Sequence, residues 1–353
     1  MKSGGAERQA TRVAIILAQE GHDVSILTYS PENFYADMFR NTNVHFIELS
    51  GTSKIGAIIQ TRRQLVSGRY DAVLAILRSP ILCAEISSLL AKRWRLIIRM
   101  GSANKNMFMS KYGKAMLALA GIVDGIVCNS EREAAFWRSS GKIPQEKLVV
   151  IYNDVQLADI HSNYVMRKDG RAHIVVAASY YEVKNIDRVL EAILLLSEEE
   201  RRQLCIEWYG RREINLGNTK FYDAAERKVH DNNMDTCVHL HDETKSIHER
   251  MNEADYVGLF SIFEGLPNAI CEGMMLGKPI IMSRISDFQV LVDGNGYLCD
   301  STNAASIAEA LRNVITTSKG DMIRQGKRSQ DIAMRLFDSE TIKQKWLHVM
   351  SGE

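Results

Sequence analysis

Residues 261–279 read SIFEGLPNAICEGMMLGKP, and this stretch decides the predicted fold. It follows an apolar run, Tyr256–Ser261, that is predicted as a strand, and it enters a predicted helix near Pro267, a residue favoured in a first helical turn. Glu264 then lies in the loop between the strand and the helix. In a parallel sheet such loops gather at the carboxyl ends of the strands, where ligands bind. The stretch therefore predicts an α/β fold with a ligand-binding loop at the edge of a sheet.

Strand-like and helix-like segments alternate on both sides of a polar, turn-rich stretch at residues 156–171. Such alternation predicts crossover units and mostly parallel sheets that are covered on both faces. We therefore predict two Rossmann-like domains that face each other across a cleft, at residues 1–155 and 172–336, with 156–171 as the linker. Residues 337–353 are predicted to form a C-terminal helix that packs back on the N-terminal domain.

One element of this pattern is missing at the start of the sequence. A parallel-sheet domain normally opens with a strand that leads into a glycine turn and a helix, but only Met1–Ser3 precede Gly4 and Gly5. We therefore expect the N-terminal domain to lack its first strand, which would leave the glycine turn poorly anchored.

The composition is that of an ordinary globular protein: 353 residues, of which 46% are hydrophobic and 25% charged. These values exclude a disordered chain, and no apolar run approaches the roughly 20 residues that span a bilayer. The six cysteines form no C-x-x-C pair, which favours buried free thiols in a reducing cytoplasm.

The two halves of the chain differ in charge. Residues 1–155 carry 20 Lys and Arg against 13 Asp and Glu, a net charge of +7, and residues 156–353 carry a net charge of −6. The basic half suits a phosphate-bearing partner or an anionic membrane surface.

The loop around Glu264 combines a carboxylate with a helix N-terminus. The backbone N–H groups of Gly265, Leu266 and Asn268 are predicted to point towards one spot, where the helix dipole favours a phosphate or a carbonyl oxygen. Glu272 lies further along the same helix, within reach of a sugar or ribose hydroxyl. The alternative is that both carboxylates merely cap a solvated helix.

The segment that contains both glutamates resembles the E-x₇-E motif of glycosyltransferase family 4, a family of retaining nucleotide-sugar transferases with the GT-B fold. Four other segments resemble family motifs and occur in the same order: GGAER at 4–8 with GHDV at 21–24, IYNDV at 151–155, KN at 184–185, and DGNGY at 293–297. Together they span nearly the whole chain.

The resemblance implies a hexosyltransferase that uses no bound metal and no cofactor and whose substrate is a nucleotide-sugar, expected to be a UDP-sugar. Lys184 would neutralise the diphosphate, Glu264 would contact the donor sugar, Glu272 would bind the ribose, and the glycine turn would supply backbone N–H groups. The implied catalytic residues are Glu264, Lys184 and Arg99. The implied donor-binding residues are Gly4, Gly5, Asn153, Ser179, Arg211, Arg212, Gly265, Leu266, Pro267, Asn268 and Glu272.

Two of these assignments replace residues that the family pattern expects. Many members carry an Arg a few residues before the Lys, where this chain has Ser179. Arg211 and Arg212 follow the next predicted strand and are the candidate replacements, although a surface arginine pair is equally compatible. Many members also carry a His after the fourth strand, where this chain offers Arg99. An arginine stays protonated, so Arg99 is expected to bind an acceptor phosphate or developing charge and not to act as a base.

Other ligands are less well supported by the sequence. His239 and His241 lie on one face of a predicted strand and could bind a metal, but no third metal ligand lies nearby in the sequence. The basic residues are not interleaved with stacking aromatics, which disfavours nucleic acid. Residues 105–114 mix lysines with apolar side chains, which suits either contact with anionic lipid or a core-facing helix with solvated lysine ends.

The resulting hypothesis is a cytoplasmic glycosyltransferase, working at the inner face of the plasma membrane, that builds capsule, lipopolysaccharide or another cell-surface polysaccharide. Its acceptor would be a glycan or a polyprenyl-diphosphate-linked sugar. Two alternatives remain open at this point: a degenerate GT-B protein that binds a nucleotide or a partner without turnover, and a nucleotide-sugar epimerase.

Overall fold

The computed structural model describes residues 4–29, 34–49, 53–89, 92–101, 109–155, 157, 169–214 and 217–352. The chain divides into two compact units, one formed by residues 1–154 with 337–353 and the other by residues 155–336. Both units are built from parallel strands joined by helices, which confirms the predicted α/β class. Met1–Ser3, most of the expected linker and residues 105–108 lie outside the described residues.

The strands of the first unit are arranged in two parallel sheets. β1 pairs with β2 in one sheet, and the other has the order β3-β4-β5-β6. The strands are β1 (Val24–Thr28), β2 (Val44–Glu48), β3 (Ala72–Ile76), β4 (Arg95–Arg99), β5 (Gly125–Cys128) and β6 (Leu148–Val150). The helices that precede or connect these strands are α1 (Gly5–Gln19), α2 (Lys54–Ser67), α3 (Arg78–Ser87), α4 (Lys111–Leu119) and α5 (Glu131–Ser139).

The core of the first unit lies around the four-stranded sheet. Leu96, Ile98 and Ile126 on its central strands are fully buried, together with Met116 and Trp137 from the covering helices. Strands buried on both faces carry continuous apolar runs, because a parallel sheet is covered by helices on both sides. By contrast, every residue of β1 is only partly buried.

The described strands of the second unit form a six-stranded parallel sheet with the order β12-β11-β10-β7-β8-β9. Its strands are β7 (Ala172–Ala177), β8 (Leu204–Tyr209), β9 (Val238–His241), β10 (Tyr256–Leu259), β11 (Ile280–Ser283) and β12 (Gly296–Cys299). Its helices are α6 (Ile186–Leu194), α7 (Glu198–Arg202), α8 (Lys220–Asp231), α9 (Ile247–Glu253), α10 (Asn268–Met275), α11 (Phe288–Leu291), α12 (Ala304–Thr316) and α13 (Lys319–Leu336).

Some elements begin or end at other residues than the apolar periodicity of the sequence predicts. That periodicity predicts a helix that begins at Ile81, whereas α3 begins three residues earlier, at Arg78, because the apolar pattern does not extend over its first turn. The short helices α7 and α11 were not predicted, since each is too short for a 3.6-residue periodicity to emerge. Gly21 and Gly141 follow the ends of α1 and α5 and have φ values of +88° and +64°, the left-handed conformation that glycine adopts where helices end.

A last helix, α14 (Ser339–Ser351), belongs to the first unit. Its Trp346 is 1% exposed, and the guanidinium of Arg99 lies over the indole ring at 5.5 Å from the centroid. The Nε of Arg95 donates a hydrogen bond of 2.9 Å to the carbonyl of Val349. These contacts join α14 to β4.

We predict that Trp346→Ala lowers the free energy of unfolding of the first unit by about 3–5 kcal/mol, because it removes a buried aromatic side chain and uncovers a buried cation. Denaturant unfolding followed by circular dichroism measures this loss. Lys345→Ala, an exposed neighbour on the same helix, is the matched control. A loss below about 1 kcal/mol for Trp346→Ala would show that α14 is not part of this core.

Candidate functional site

The strand order of the second unit reverses between β7 and β10. β7 pairs with β8 on one side and with β10 on the other, so the chain leaves β7 and β10 in opposite directions across the sheet. In open α/β sheets the loops at such a switch point diverge and leave a crevice that binds ligands. The loop after β7 carries Lys184, and the loop after β10 carries Glu264.

These two side chains form an ion pair. The Nζ of Lys184 donates to Oε1 of Glu264, and the hydroxyl of Ser261 donates to the same oxygen at 2.8 Å. The lysine side chain is 23% exposed and the glutamate side chain 17% exposed, so solvent screens the pair only in part. The structure therefore brings together the two residues that the sequence placed in separate motifs.

Asn185 fixes the position of Lys184. Its φ of +68° lies in the left-handed region, which asparagine and glycine tolerate better than other residues. Its side-chain amide donates to the carbonyls of Phe260 at 3.0 Å and Ser301 at 2.8 Å. The N–H of Ile262 also donates to the carbonyl of Val183 at 2.8 Å. The two loops are thus tied together by hydrogen bonds on both sides of the ion pair.

The segment after Glu264 leads directly into α10. Gly265, Leu266 and Pro267 are buried, and Pro267 precedes the first residue of the helix, Asn268. The carbonyl of Gly265 accepts a hydrogen bond from the hydroxyl of Ser286. These contacts hold the start of α10 beside Glu264, and the helix dipole there favours an anion.

Glu272 lies within α10 and is 6% exposed. Its Oε2 is 3.0 Å from Nε2 of His248, which is carried by α9. A buried carboxylate requires hydrogen-bond donors, because burial without them is costly. The imidazole of His248 supplies one.

Ser179 follows β7, and the loop that carries it runs close to the end of β8. A Cβ at Gly210 would overlap the carbonyl of Ala178, so only glycine permits this approach. Arg211 follows directly, and its Nη2 donates to the hydroxyl of Tyr181 at 2.9 Å. Tyr181 lies in the same loop as Lys184, so Arg211 is positioned on the lysine side of the crevice. Its Nε is buried without a hydrogen-bond partner among the described residues.

Arg212 is engaged elsewhere. Its Nε is 2.6 Å from a carboxylate oxygen of Asp242, and its guanidinium lies over the ring of Tyr222 at 4.1 Å from the centroid. This arrangement favours Arg211 over Arg212 as the cation that compensates for Ser179.

The predicted residues of the first unit have protein partners. Arg99 is 3% exposed, and burial lowers its pKa to about 10, so it remains charged at neutral pH. It donates to Oδ1 of Asn153 and lies over Trp346. These contacts give Arg99 a structural role in the first unit, and its contact with an acceptor phosphate remains a prediction.

The glycine turn begins α1. The N–H of Gly4 donates to the hydroxyl of Tyr35 at 3.1 Å, and that hydroxyl donates to the carbonyl of Gly4 at 2.9 Å. The carboxylate of Glu7 occupies the space that a side chain at Gly4 would fill. The binding of a diphosphate by Gly4 and Gly5 remains a prediction.

Several residues of the site were not found from the sequence. Asn185 was noted only as part of a motif, while Ser286, Tyr181 and His248 were not singled out. Ser286 has a φ of +52°, and such strain is not visible in a sequence. His248 lies 24 residues before Glu272, on a different helix, so no periodic pattern links them.

Neither a metal site nor a membrane span is found in the part of the chain that the structure describes. It holds no group of three or more His, Cys, Asp or Glu side chains suited to a metal ion. None of its helices is both long and apolar enough to cross a membrane.

Two parallel α/β units, one with a cation, a carboxylate and a helix N-terminus at its switch point, are the features expected of the GT-B class. Two family models match the chain: Glycosyltransferase Family 4 over residues 3–159 and Glycosyl transferases group 1 over residues 171–317. The chain therefore belongs to the glycosyltransferases, and the family suggested by its motifs is confirmed.

Similar proteins cover nearly the whole chain. An uncharacterized glycosyltransferase of Haemophilus influenzae is 21% identical over 324 residues, which are 88% of this chain and 86% of that protein. HepE of Anabaena, solved with UDP-glucose, has a TM-score of 0.83 at 16% identity, covering 100% of this chain and 97% of its own. WaaG, a glycosyltransferase involved in lipopolysaccharide biosynthesis, has a TM-score of 0.77 at 14% identity, covering 100% and 98%. These likenesses show the GT-B fold.

We predict that Asn185→Ala lowers the free energy of unfolding of the second unit by about 2–3 kcal/mol, because it removes two buried hydrogen bonds and strains a left-handed position. Asn185→Gly keeps the backbone conformation and is expected to lose less. Thermal unfolding of both variants measures the difference. Equal stability of Asn185→Ala and the wild type would contradict the anchoring role.

Proposed function

We propose that this protein transfers a sugar from a nucleotide-sugar donor, a UDP-sugar, to a lipid-linked or glycan acceptor, with retention of configuration at the sugar. The observation that carries the proposal is the pairing of Lys184 with Glu264 at the switch point of the second unit. The complex of HepE with UDP-glucose supports UDP as the nucleotide, since that protein has the same fold. WaaG, involved in lipopolysaccharide biosynthesis, supports a cell-surface polysaccharide as the product.

The proposed chemistry needs positive charge at the leaving group. The bond between the sugar C1 and the diphosphate oxygen breaks, a bond forms from C1 to the acceptor oxygen, and the acceptor proton passes to the leaving phosphate. Negative charge therefore grows on the diphosphate as the reaction proceeds. Fixed cations and N–H dipoles stabilise that charge more in the transition state than in the ground state. Lys184, Arg211 and the N-terminus of α10 are the groups proposed for this role.

The ion pair itself would be rearranged by the donor. In the proposal Lys184 turns towards the diphosphate, while Glu264 accepts hydrogen bonds from the hydroxyls of the donor sugar. Each side chain then exchanges one charged or polar partner for another, so neither is left buried without a partner.

We also propose that transfer proceeds without a metal ion. Side-chain cations would neutralise the diphosphate, which is the task of a metal ion in other transferases.

We predict that Lys184→Ala and Glu264→Ala each lower kcat/KM for sugar transfer or donor hydrolysis by about 100-fold or more, because each removes a group that acts on the donor. Lys319→Ala, an exposed lysine in the same unit, is the matched control. Release of UDP in a coupled assay with a panel of UDP-sugars measures the rate. Unchanged turnover in both variants would refute the site.

The same assay separates the alternatives that the sequence left open. Calorimetric binding of UDP without turnover in the wild type would indicate a degenerate GT-B protein. Conversion of one UDP-sugar into another without release of UDP would indicate an epimerase.

We also propose that the first unit contacts an anionic membrane surface, where lipid-linked acceptors are found. The sequence suggests residues 105–114 for this contact. The structure describes residues 109–114 of this segment, where Met109 is 63% exposed. Helix α2 supports the proposal more strongly. Its Ile55, Ile59 and Val66 are 71%, 62% and 54% exposed and share one face. Residues 53–70 contain four Lys or Arg and no Asp or Glu, which suits anionic lipid.

We predict that the double variant Ile55→Asp, Ile59→Asp reduces binding to vesicles of phosphatidylcholine and phosphatidylglycerol by about tenfold, because it places negative charge on an apolar contact face. The matched control is Ile323→Asp, Met334→Asp, which changes two exposed apolar residues of α13. Co-sedimentation measures binding. Equal binding of both double variants would show that α2 is not the contact face.

A further inference from the structure

His248 is the imidazole that contacts Glu272, and its position is fixed by two neighbouring helices. It lies in the first turn of α9, while Glu272 lies in α10. The Nε2–Oε2 distance is 3.0 Å, and the two side chains are 19% and 8% exposed. Because a carboxylate only accepts hydrogen bonds, Nε2–H of His248 is the donor in this contact. The contact is thus shielded from bulk water and has a defined direction.

The backbone at Glu272 has little freedom. The next residue, Gly273, lies so close to β10 that an added Cβ would be 2.7 Å from Cβ of Val257. Real Cβ atoms do not approach one another so closely, so α10 rests directly on the strand. The Cα of Glu272 is therefore held in place, and the orientation of its carboxylate depends on the side-chain torsions and on the groups that contact it.

We propose that His248 is a positioning residue that orients Glu272 to recognise the ribose of the nucleotide donor; this inference rests on the proposed function. By engaging Oε2, the imidazole selects one rotamer of a flexible side chain before the ligand arrives. The two adjacent hydroxyls of a ribose then meet a carboxylate that is already aligned, so less conformational entropy is lost on binding. His248 would thereby strengthen the preference of the site for ribonucleotides over sugars that lack these hydroxyls.

The test compares UDP with 2′,3′-dideoxy-UDP, which lacks both hydroxyls, by isothermal titration calorimetry. The wild type is expected to bind UDP at least about tenfold more tightly, as expected for hydrogen bonds to a charged acceptor. His248→Ala is expected to weaken UDP binding to within about threefold of the dideoxy ligand, and to leave the affinity for the dideoxy ligand unchanged. Glu272→Ala should lose the preference altogether.

Two further variants distinguish a positioning role of His248 from a general effect on the structure. His248→Gln keeps an N–H donor near the position of Nε2 and is expected to restore most of the preference. His230→Ala changes an exposed histidine of α8 and should behave as the wild type. Thermal unfolding of each variant without ligand confirms that the unit remains folded.

The outcomes separate this inference from the proposed function. If Glu272→Ala loses the ribose preference while His248→Ala keeps it, the inference about His248 is overturned and the donor site stands. If His248→Ala weakens both ligands equally, its role is structural and the inference is also overturned. If the wild type binds neither ligand, the proposed donor site fails and the inference fails with it.

Discussion

The reversal of strand order between β7 and β10 is the constraint on which the rest of the site depends. Because the chain leaves these adjacent strands in opposite directions, their loops separate and leave room for a ligand at the carboxyl ends. Lys184 and Glu264 lie on these two loops, and Asn185 binds the carbonyl of Phe260 across the same gap. The topology thus creates the crevice, and Asn185, in the left-handed conformation, helps to tie its two loops together.

The charges of this crevice are balanced locally. Residues 156–353 carry a net charge of −6, yet the proposed donor is an anion. Long-range attraction therefore does not explain binding, and the field near the site must come from fixed groups within a few ångströms. Lys184 is paired with Glu264, and Arg211 is oriented by Tyr181. Arg211 is therefore positioned before a ligand is present, which limits the reorganisation that it requires. Lys184 is held beside the site by Glu264 and, in the proposed reaction, exchanges this partner for the diphosphate.

The fold and the central part of the site could be predicted from the sequence, since apolar runs and E-x₇-E-like segments are local patterns. The strand predicted at Tyr256–Ser261 is observed as β10 at Tyr256–Leu259, because a buried parallel strand is continuously apolar. The rest depended on contacts between distant parts of the chain. The contact of the buried Arg99 with Trp346, a residue of the C-terminal helix, is one example. His248 reaches Glu272 from another helix. Such pairings follow from packing, which sequence periodicity does not report.

The division of the first unit into two sheets has a consequence for its dynamics. Among the described strands, β1 is hydrogen-bonded to β2 alone and β3 to β4 alone, and the side chains of β1 are only partly buried. The second unit instead holds β7 and β10 in the middle of six strands. Segments with few buried apolar contacts open at a lower free energy than a central sheet. The backbone amide hydrogens of β1 and β2 should therefore exchange with solvent well before those around Lys184. The chain would then contain cooperative regions of unequal stability, and the candidate site would lie in the region that opens at the higher free energy.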